Sequence, residues 1–189
     1  WHKFITESCH FEARNPDRLV KDGEKLSFGS TYCHVVHTPG HTPGHCAFHF
    51  PEERVLFTAD LDLVKAGPYY GDINSSIEDT LDSLERLAHI DADIYLSCHG
   101  RGIHEGNPER IRQYATVVYE REEKLLEFLK GGPQTLEAIT KHGIIYGPPR
   151  ILSGWDLSAS ERAMMKKHLR WLEKKGMAHS EKDFFYLSS

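Results

Sequence analysis

The sequence contains few cysteines, no long apolar run and no overall excess of basic residues. The four cysteines form neither a C-x-x-C pair nor the dense pattern of a disulfide-stapled secreted protein; they are Cys9, Cys33, Cys46 and Cys98. No apolar stretch approaches the ~20 residues that cross a bilayer, and no signal peptide opens the chain. We therefore expect a cytoplasmic protein with free thiols and no membrane partner.

Charge is distributed unevenly along the 189 residues. Asp and Glu number 28 against 23 Lys and Arg, a net charge of −5, but from Ser158 onward seven basic residues stand against four acidic ones. The body of the protein therefore gives no sign of binding nucleic acid, whereas the tail is a candidate. Lys167, Arg170 and Lys174 recur on one face of a predicted helix, where they could contact phosphates or simply form its solvated side.

The first 130 residues alternate between β-type runs and helical patterns. A turn and a short edge strand are predicted within 22–30, followed by a meander of three strands whose loops gather on one edge. A capped amphipathic helix, a further strand and a long helix between Asn107 and Gly132 come next. The predicted segments are strands at 32–37, 45–50, 54–60 and 93–98, and helices at 75–87 and 107–132.

The pattern changes near residue 130, so we predict two domains, 1–130 and 131–189. The second contains a short helix ending at Gly143, a loop, a helix over 158–176 with Ser158 and Glu161 as its capping box, and a hairpin turning at 181–183. Helix, loop, helix and hairpin in this order are typical of a winged helix.

The stretch HTPGHTPGH, residues 37–45, places His37, His41 and His45 at helical spacing. Pro39, Gly40, Pro43 and Gly44 interrupt every turn that such a helix would need, since proline lacks a backbone donor and disfavours helix before it. The segment is therefore predicted to be a turn-rich loop.

Three polar residues stand at the ends of predicted strands: His45 opens one, Asp60 closes one and His99 follows a third. Strand ends hold side chains rigidly, and Gly44 and Gly100 allow close backbone approach beside two of them. Two imidazoles and a carboxylate suit Zn, Fe or Mn. The residue pattern alone leaves ordinary loop polarity as the alternative.

The string HTPGHTPGHCAFHFPEERVLFTADLDL closely resembles the third and fourth motifs of the metallo-β-lactamase superfamily, which includes glyoxalase II-like thioesterases. The resemblance covers about residues 22–130 and departs from the usual pattern at Ala59, where the family has glycine. It implies that His45 and His99 each bind one of two zinc ions and that Asp60 bridges the ions. It further implies a hydroxide held between the metals that attacks an ester, thioester or phosphodiester.

The resemblance also implies a fold of the α+β class, the C-terminal portion of the family's αβ/βα sandwich. The tail is similar to the winged-helix-like cap of the β-lactamase-like protein 2 subgroup, which includes an endoribonuclease. The substrate, a small molecule or RNA, stays open.

The upstream H-x-H-x-D-H motif of the family is absent, and the chain begins at Trp1 without methionine. We therefore expect the C-terminal part of a longer hydrolase, whose partner is the missing N-terminal half of the same fold. Such a chain would bind metal weakly and turn over little by itself. It could self-associate as a homo-oligomer through exposed apolar sheet surface.

Neighbouring residues receive more ordinary interpretations. Supporting or structural roles are expected for His37 and His41, a satisfied sheet position for His49, and core filling for Cys46 and Cys98. Asp62 and His104 are assigned to solvated loop, with substrate contact as the alternative, while Tyr69, Tyr70 and Gly71 are weighed as pocket lining.

The competing function is a non-catalytic nucleic-acid-binding winged-helix protein with a vestigial metal loop.

Overall fold

The computed structural model describes residues 6–7, 10–149, 151–152 and 155–188. Its main feature is a six-stranded sheet in which the strands follow one another in chain order. All neighbours are antiparallel except β4 and β5, which are parallel. The strands are β1 (Lys25–Phe28), β2 (Thr31–His37), β3 (Cys46–Phe50), β4 (Val55–Phe57), β5 (Ile94–Leu96) and β6 (Ile103–Glu105).

The predicted edge strand and the antiparallel meander are confirmed by β1 and by β2–β4. The stretch 37–45 is the predicted turn-rich loop between β2 and β3. Two strand predictions were inaccurate: β4 ends at Phe57 rather than at residue 60, and β6 was not predicted.

Two helices cover one face of this sheet. Helix α1 (Ile77–Ala88) connects β4 to β5, and the Ser76 hydroxyl caps it by accepting the Asp79 N–H at 3.2 Å. Helix α2 (Pro108–Lys130) is capped by Asn107 and ends at Gly131. Both helices were predicted, because their caps and apolar stripes are encoded locally. Their shared core includes Val36, Ala47, Leu56, Tyr95, Leu84, Leu87, Ile111 and Tyr114.

The opposite sheet face is apolar and half-buried. Phe48 and Phe57 stack there across β3 and β4 with ring centroids 6.2 Å apart, and Ile103 on β6 is 62% exposed. Self-association through this surface stays a prediction.

The remainder of the chain adds a smaller sheet and two further helices. Strands β10 (Ala178–Glu181), β11 (Phe184–Leu187) and β7 (Gln134–Thr135) pair in that order, beside helices α3 (Leu136–His142) and α4 (Leu157–Lys174). The short helix ending at Gly143 and the C-terminal hairpin are confirmed. The predicted loop over 145–157 contains an additional strand pair, β8 (Ile151–Leu152) and β9 (Trp155–Asp156). The winged-helix assignment and the boundary near residue 130 stay predictions.

The predicted capping box of α4 is wrong. Asp156, not Ser158, is the N-cap, and its carboxylate accepts the Ser158 N–H at 2.9 Å. Glu161 turns away from the helix end and is only 1% exposed. Its carboxylate instead accepts the backbone N–H groups of residues 144–146, at 2.9–3.2 Å, and so anchors the segment after α3.

Helix α4 also packs against the first part of the chain. One buried cluster combines Tyr70, Ile77 of α1, Val118 of α2 and Met164 of α4. Among the described residues, no helix is long and apolar enough to cross a membrane.

Candidate metal centre

The three residues predicted as metal ligands lie at one edge of the large sheet. Asp60 and His99 each follow the end of a strand, β4 and β5, and these two strands are parallel. His45 directly precedes β3, whose start lies beside the end of β4 because the two strands are antiparallel. The Asp60 backbone N–H donates to His45 Nε2 at 3.2 Å, and Asp60 Oδ1 lies 3.0 Å from His99 Nε2.

His45 is held in one tautomer. It is 6% exposed, and its Nδ1 lies 3.0 Å from the carbonyl oxygen and 2.8 Å from the hydroxyl of Thr38. Because the Asp60 N–H can only donate, Nε2 is an acceptor and the neutral ring carries its proton on Nδ1. Burial lowers the pKa of His45 and keeps the ring neutral. A metal-binding imidazole needs this state, with one nitrogen anchored and the other presenting its lone pair. In this structure that lone pair accepts the Asp60 N–H.

His41 lies closer to the site than the sequence indicated. Its Nδ1 donates to the Tyr69 carbonyl at 3.0 Å, and its Nε2 faces Asp60 Oδ2 at 3.8 Å. The Asp60 carboxylate therefore stands between the rings of His41 and His99. His37, in contrast, is exposed and contacts the Pro43 carbonyl at 2.8 Å, which agrees with a structural role.

Asp62 is not a solvated loop residue, contrary to expectation. Its Oδ1 accepts the backbone N–H of His99 at 3.0 Å, and its carbonyl lies 3.2 Å from His104 Nε2. Burial raises the pKa of Asp62, while the bond from the His99 N–H opposes that shift. Asp62 therefore fixes the backbone that carries His99, a role that no sequence signal disclosed.

The two tyrosines that follow Asp60 differ in burial and position. Tyr69 lies beside the site, with its ring centroid 5.9 Å from that of His41. Tyr70 is fully buried, which excludes the pocket-lining role weighed for it. Gly71 packs against the Tyr69 ring.

The backbone around the ligands is tightly constrained. Ala59, at the position where the family usually has glycine, adopts a φ of 51°, a left-handed conformation that costs an alanine about 1 kcal/mol. Gly40 is required, because a side chain there would collide with Thr80 of α1. Gly100 has a φ of 69°, and a side chain there would approach Val64. A side chain at Gly44 would meet no described residue beyond its chain neighbours within 4 Å, so the structure does not require glycine there.

The remaining candidates contribute little to the site. Cys33, Cys46 and Cys98 are free thiols, and Cys9 lies outside the described residues. Cys98 is exposed rather than core filling. Partial desolvation by the surrounding loop, together with the nearby Asp60 and Asp62 charges, raises the pKa of the thiol and keeps it protonated. His49 is not a satisfied sheet histidine, because its buried Nε2 has no hydrogen-bond partner among the described residues.

The donor atoms suit a metal ion, but they do not form a closed site. Imidazole nitrogen and carboxylate oxygen are the ligands that Zn, Fe and Mn accept, and His45 Nε2 is prepared as an acceptor. Within the described ranges, no three His, Cys, Asp or Glu side chains converge closely enough to hold an ion. His45 contacts the backbone N–H of Asp60, whereas His99 contacts the Asp60 carboxylate. The two imidazoles therefore lie on different parts of Asp60 and do not converge on one point.

Comparison with known proteins identifies the family. Residues 5–99 match the metallo-beta-lactamase superfamily, a range that includes His45, Asp60 and His99. The chain belongs to this superfamily and has a mixed α/β, metallo-beta-lactamase-like fold. Proteins of the superfamily are hydrolases that bind metal ions such as zinc or iron.

Individual relatives agree with this assignment. A hydroxyacylglutathione hydrolase of Francisella philomiragia is 36% identical over 86 residues, which are 44% of this chain and 33% of that protein. A metallo-beta-lactamase family protein from Thermus thermophilus superposes with a TM-score of 0.77 at 28% identity, over 92% of this chain and 55% of that one. A beta-lactamase domain protein from Burkholderia ambifaria shares the fold, with a TM-score of 0.73 at 23% identity over 94% of this chain and 54% of that one. The chain thus spans about a third of the curated relative and about half of each structure.

Proposed function

We propose that this chain carries one half of the two-metal centre of a hydrolase that cleaves an ester, thioester or phosphodiester. The observation that carries the proposal is the meeting of His45, Asp60 and His99 at one sheet edge, although they are 15 and 39 residues apart in the chain. Asp60 would bridge two metal positions, and each histidine would serve one.

The surrounding residues support these roles. Thr38 fixes the tautomer of His45, so that Nε2 faces the site. Asp62 holds the backbone of His99, and the Tyr69 carbonyl orients His41 beside the Asp60 carboxylate. When bound, the metal supplies Lewis acidity: it activates water at neutral pH and stabilises the negative charge that develops on the attacked group. Zinc is our first choice, with iron or manganese as alternatives.

Three donors distributed over two positions would bind metal weakly, so we propose that the chain alone has little activity. The remaining donors would come from polypeptide outside the 189 residues, since no H-x-H-x-D-H motif occurs within them. We also propose that the tail is a winged helix, that the protein is cytoplasmic and that it forms a homo-oligomer. Nucleic-acid binding as the sole function has no support from the comparisons.

Hydrolysis assays with and without Zn²⁺ test the proposal. The chain and the longest product of its gene are assayed against acyl-glutathione, lactone and single-stranded RNA substrates. Acyl-glutathione comes first because the Francisella relative is named a hydroxyacylglutathione hydrolase. We expect Zn²⁺-dependent turnover by the longer product. His45→Ala should abolish it, because this change removes the imidazole ligand proposed for one metal position.

The matched control is His179→Ala, which removes an exposed histidine from the C-terminal hairpin. Its turnover should equal that of the unmodified protein. Turnover that survives His45→Ala, Asp60→Ala and His99→Ala would refute the proposal, as would RNA binding that is salt-sensitive but indifferent to all three changes.

A further inference from the structure

The loop that follows Asp60 is held by side chains from two distant helices. We name residues 61–75 the site loop, because they begin beside Asp60 and include Asp62 and Tyr69. Four carbonyls and one hydroxyl of the site loop are bound by α2 and α4, namely those of Ala66, Pro68, Ile73, Ser75 and Tyr70.

Arg121 of α2 supplies most of these bonds. It is 3% exposed and donates to the Pro68 carbonyl at 2.7 Å, to the Tyr70 hydroxyl at 2.8 Å and to the Ala66 carbonyl. Within the described part of the chain it has no ion pair, so this buried cation serves the site loop rather than a carboxylate. Gly67 has a φ of 79°, and a side chain there would collide with Val117, so the loop lies directly on α2.

His168 of α4 completes the arrangement. Its Nε2 lies 2.8 Å from the Tyr70 hydroxyl, and both side chains are fully buried. Arg121 can only donate, so the Tyr70 oxygen accepts from it. His168 Nε2 is the one acceptor near the Tyr70 O–H among the described residues, so the O–H donates to it. The proton of the neutral ring then lies on Nδ1, which is buried and has no partner among those residues. Burial, reinforced by the nearby Arg121 charge, lowers the pKa of His168 to about 3, so the ring is a neutral acceptor throughout the ordinary pH range.

Lys167 holds the far end of the site loop. Its ammonium donates to the Ser75 carbonyl at 2.6 Å and to the Ile73 carbonyl at 3.1 Å. Lys174 belongs to the basic stripe for which phosphate contact and a solvated face were both left open, and it pairs with Glu78 of α1 at 2.8 Å. Arg170 is exposed and has no hydrogen bond or ion pair within the described residues. Two of the three cations in the stripe are therefore occupied by the protein itself.

The site loop in turn contacts both sides of the metal-ligand candidates. The Tyr69 carbonyl accepts the Nδ1–H of His41, and Asp62 Oδ1 accepts the backbone N–H of His99. Any shift of the loop therefore moves the groups on either side of the Asp60 carboxylate.

We propose that Arg121, Lys167 and His168 are positioning residues, which fix the site loop and through it orient His41 and His99 beside Asp60. The inference rests on the proposed function only in treating His41, Asp60 and His99 as part of a metal site. The contacts that hold the site loop are present whatever the site binds. The basic face of α4 is thereby assigned mainly to holding the loop rather than to binding a polyanion.

Amide hydrogen exchange, measured on the metal-free full chain, tests the proposal. In His168→Phe, which removes the acceptor for Tyr70, we expect site-loop amides to exchange about tenfold faster or more, while β2 and β3 keep their protection. His168→Gln should restore slow exchange, because its amide oxygen can accept the Tyr70 O–H. A His168→Phe protein with unchanged loop exchange would overturn the proposal, as would a His168→Gln protein that exchanges as fast as His168→Phe.

Lys167→Ala and Arg170→Ala form a matched pair on the same helix face and are milder changes than His168→Phe. The first should speed exchange near Ser75 and the second should not. Equal exchange in both variants, combined with weaker single-stranded RNA binding by Arg170→Ala, would return this face to nucleic-acid binding and overturn the assignment.

The ring ¹⁵N shifts of His41 give a spectroscopic readout that a purely stabilising role would not move. In the unmodified chain they should report the Nδ1–H tautomer, held by the Tyr69 carbonyl; in His168→Phe and Lys167→Ala they should shift toward a tautomer mixture. Unchanged His41 shifts in both variants would contradict the proposal. Neither readout requires metal, so a failure of metal binding would refute the proposed function and leave this inference standing.

Discussion

At the residue scale, His168 couples the stability of the fold to pH. Its pKa lies near 3 in the folded chain, against an ordinary value of 6.5, because the ring is buried and faces cations. Below pH 6.5, His168 binds a proton in the unfolded chain but stays neutral in the folded chain. The stabilisation is therefore complete above about pH 6.5 and is lost as the pH falls toward 3.

We predict that the unmodified chain loses roughly 3 kcal/mol of unfolding free energy between pH 7 and pH 4 relative to His168→Gln, which cannot titrate. Urea unfolding of both proteins at several pH values measures this difference. Parallel stability curves for the two proteins would show that His168 titrates normally and is not buried as described.

His45, Asp60 and His99 could be predicted as a group from the sequence because strand ends and the family motif mark them, and the structure brings them together. The sequence could not locate the groups that orient them. Asp62 contacts the backbone of His99 across 37 residues of chain, and Tyr70 contacts His168 across 98. Such contacts depend on the tertiary path of a loop, which leaves no periodic signal.

At the element scale, Glu161 is the clearest case of a local signal overridden by a distant partner. The Ser158–Glu161 spacing fits a capping box, but the buried carboxylate binds three backbone N–H groups after α3. Hydrogen bonds to a charged acceptor are the stronger ones, so these anchor α4 to that segment.

Glu161→Gln should therefore destabilise the protein by about 2–3 kcal/mol, because the amide loses the charge and turns a donor group toward those N–H groups. Denaturant unfolding measures the loss. Glu123→Gln, an exposed change on α2, serves as the control and should stay within about 0.5 kcal/mol of the unmodified protein. Equal stability of the two variants would contradict the anchoring role.

Helices α1 and α2 were predictable because their caps and apolar stripes lie within the element itself. The short strands were less so. Strand β6 and the pair β8 and β9 have two or three residues each, too few for alternation to show, and they exist because a neighbour pairs with them.

At the scale of the whole molecule, the sheet edge that carries His45, Asp60 and His99 is joined to a site loop, and helices α2 and α4 bind that loop. The family and the mixed α/β fold were predictable from one motif-rich stretch. The bracing of the site loop by α4 was not, because it depends on how the last third of the chain packs against α1 and α2. The shared cluster of Tyr70, Ile77, Val118 and Met164 places that packing close to the site.

The central claim is that His45, Asp60 and His99 form part of a metal centre around Asp60. Calorimetric titration of the chain with Zn²⁺, compared with Asp60→Ala and with His179→Ala as control, tests it most directly. We predict binding far weaker than nanomolar that disappears in Asp60→Ala and persists in His179→Ala. Tight stoichiometric binding of two ions, or binding that is indifferent to Asp60→Ala, would contradict it.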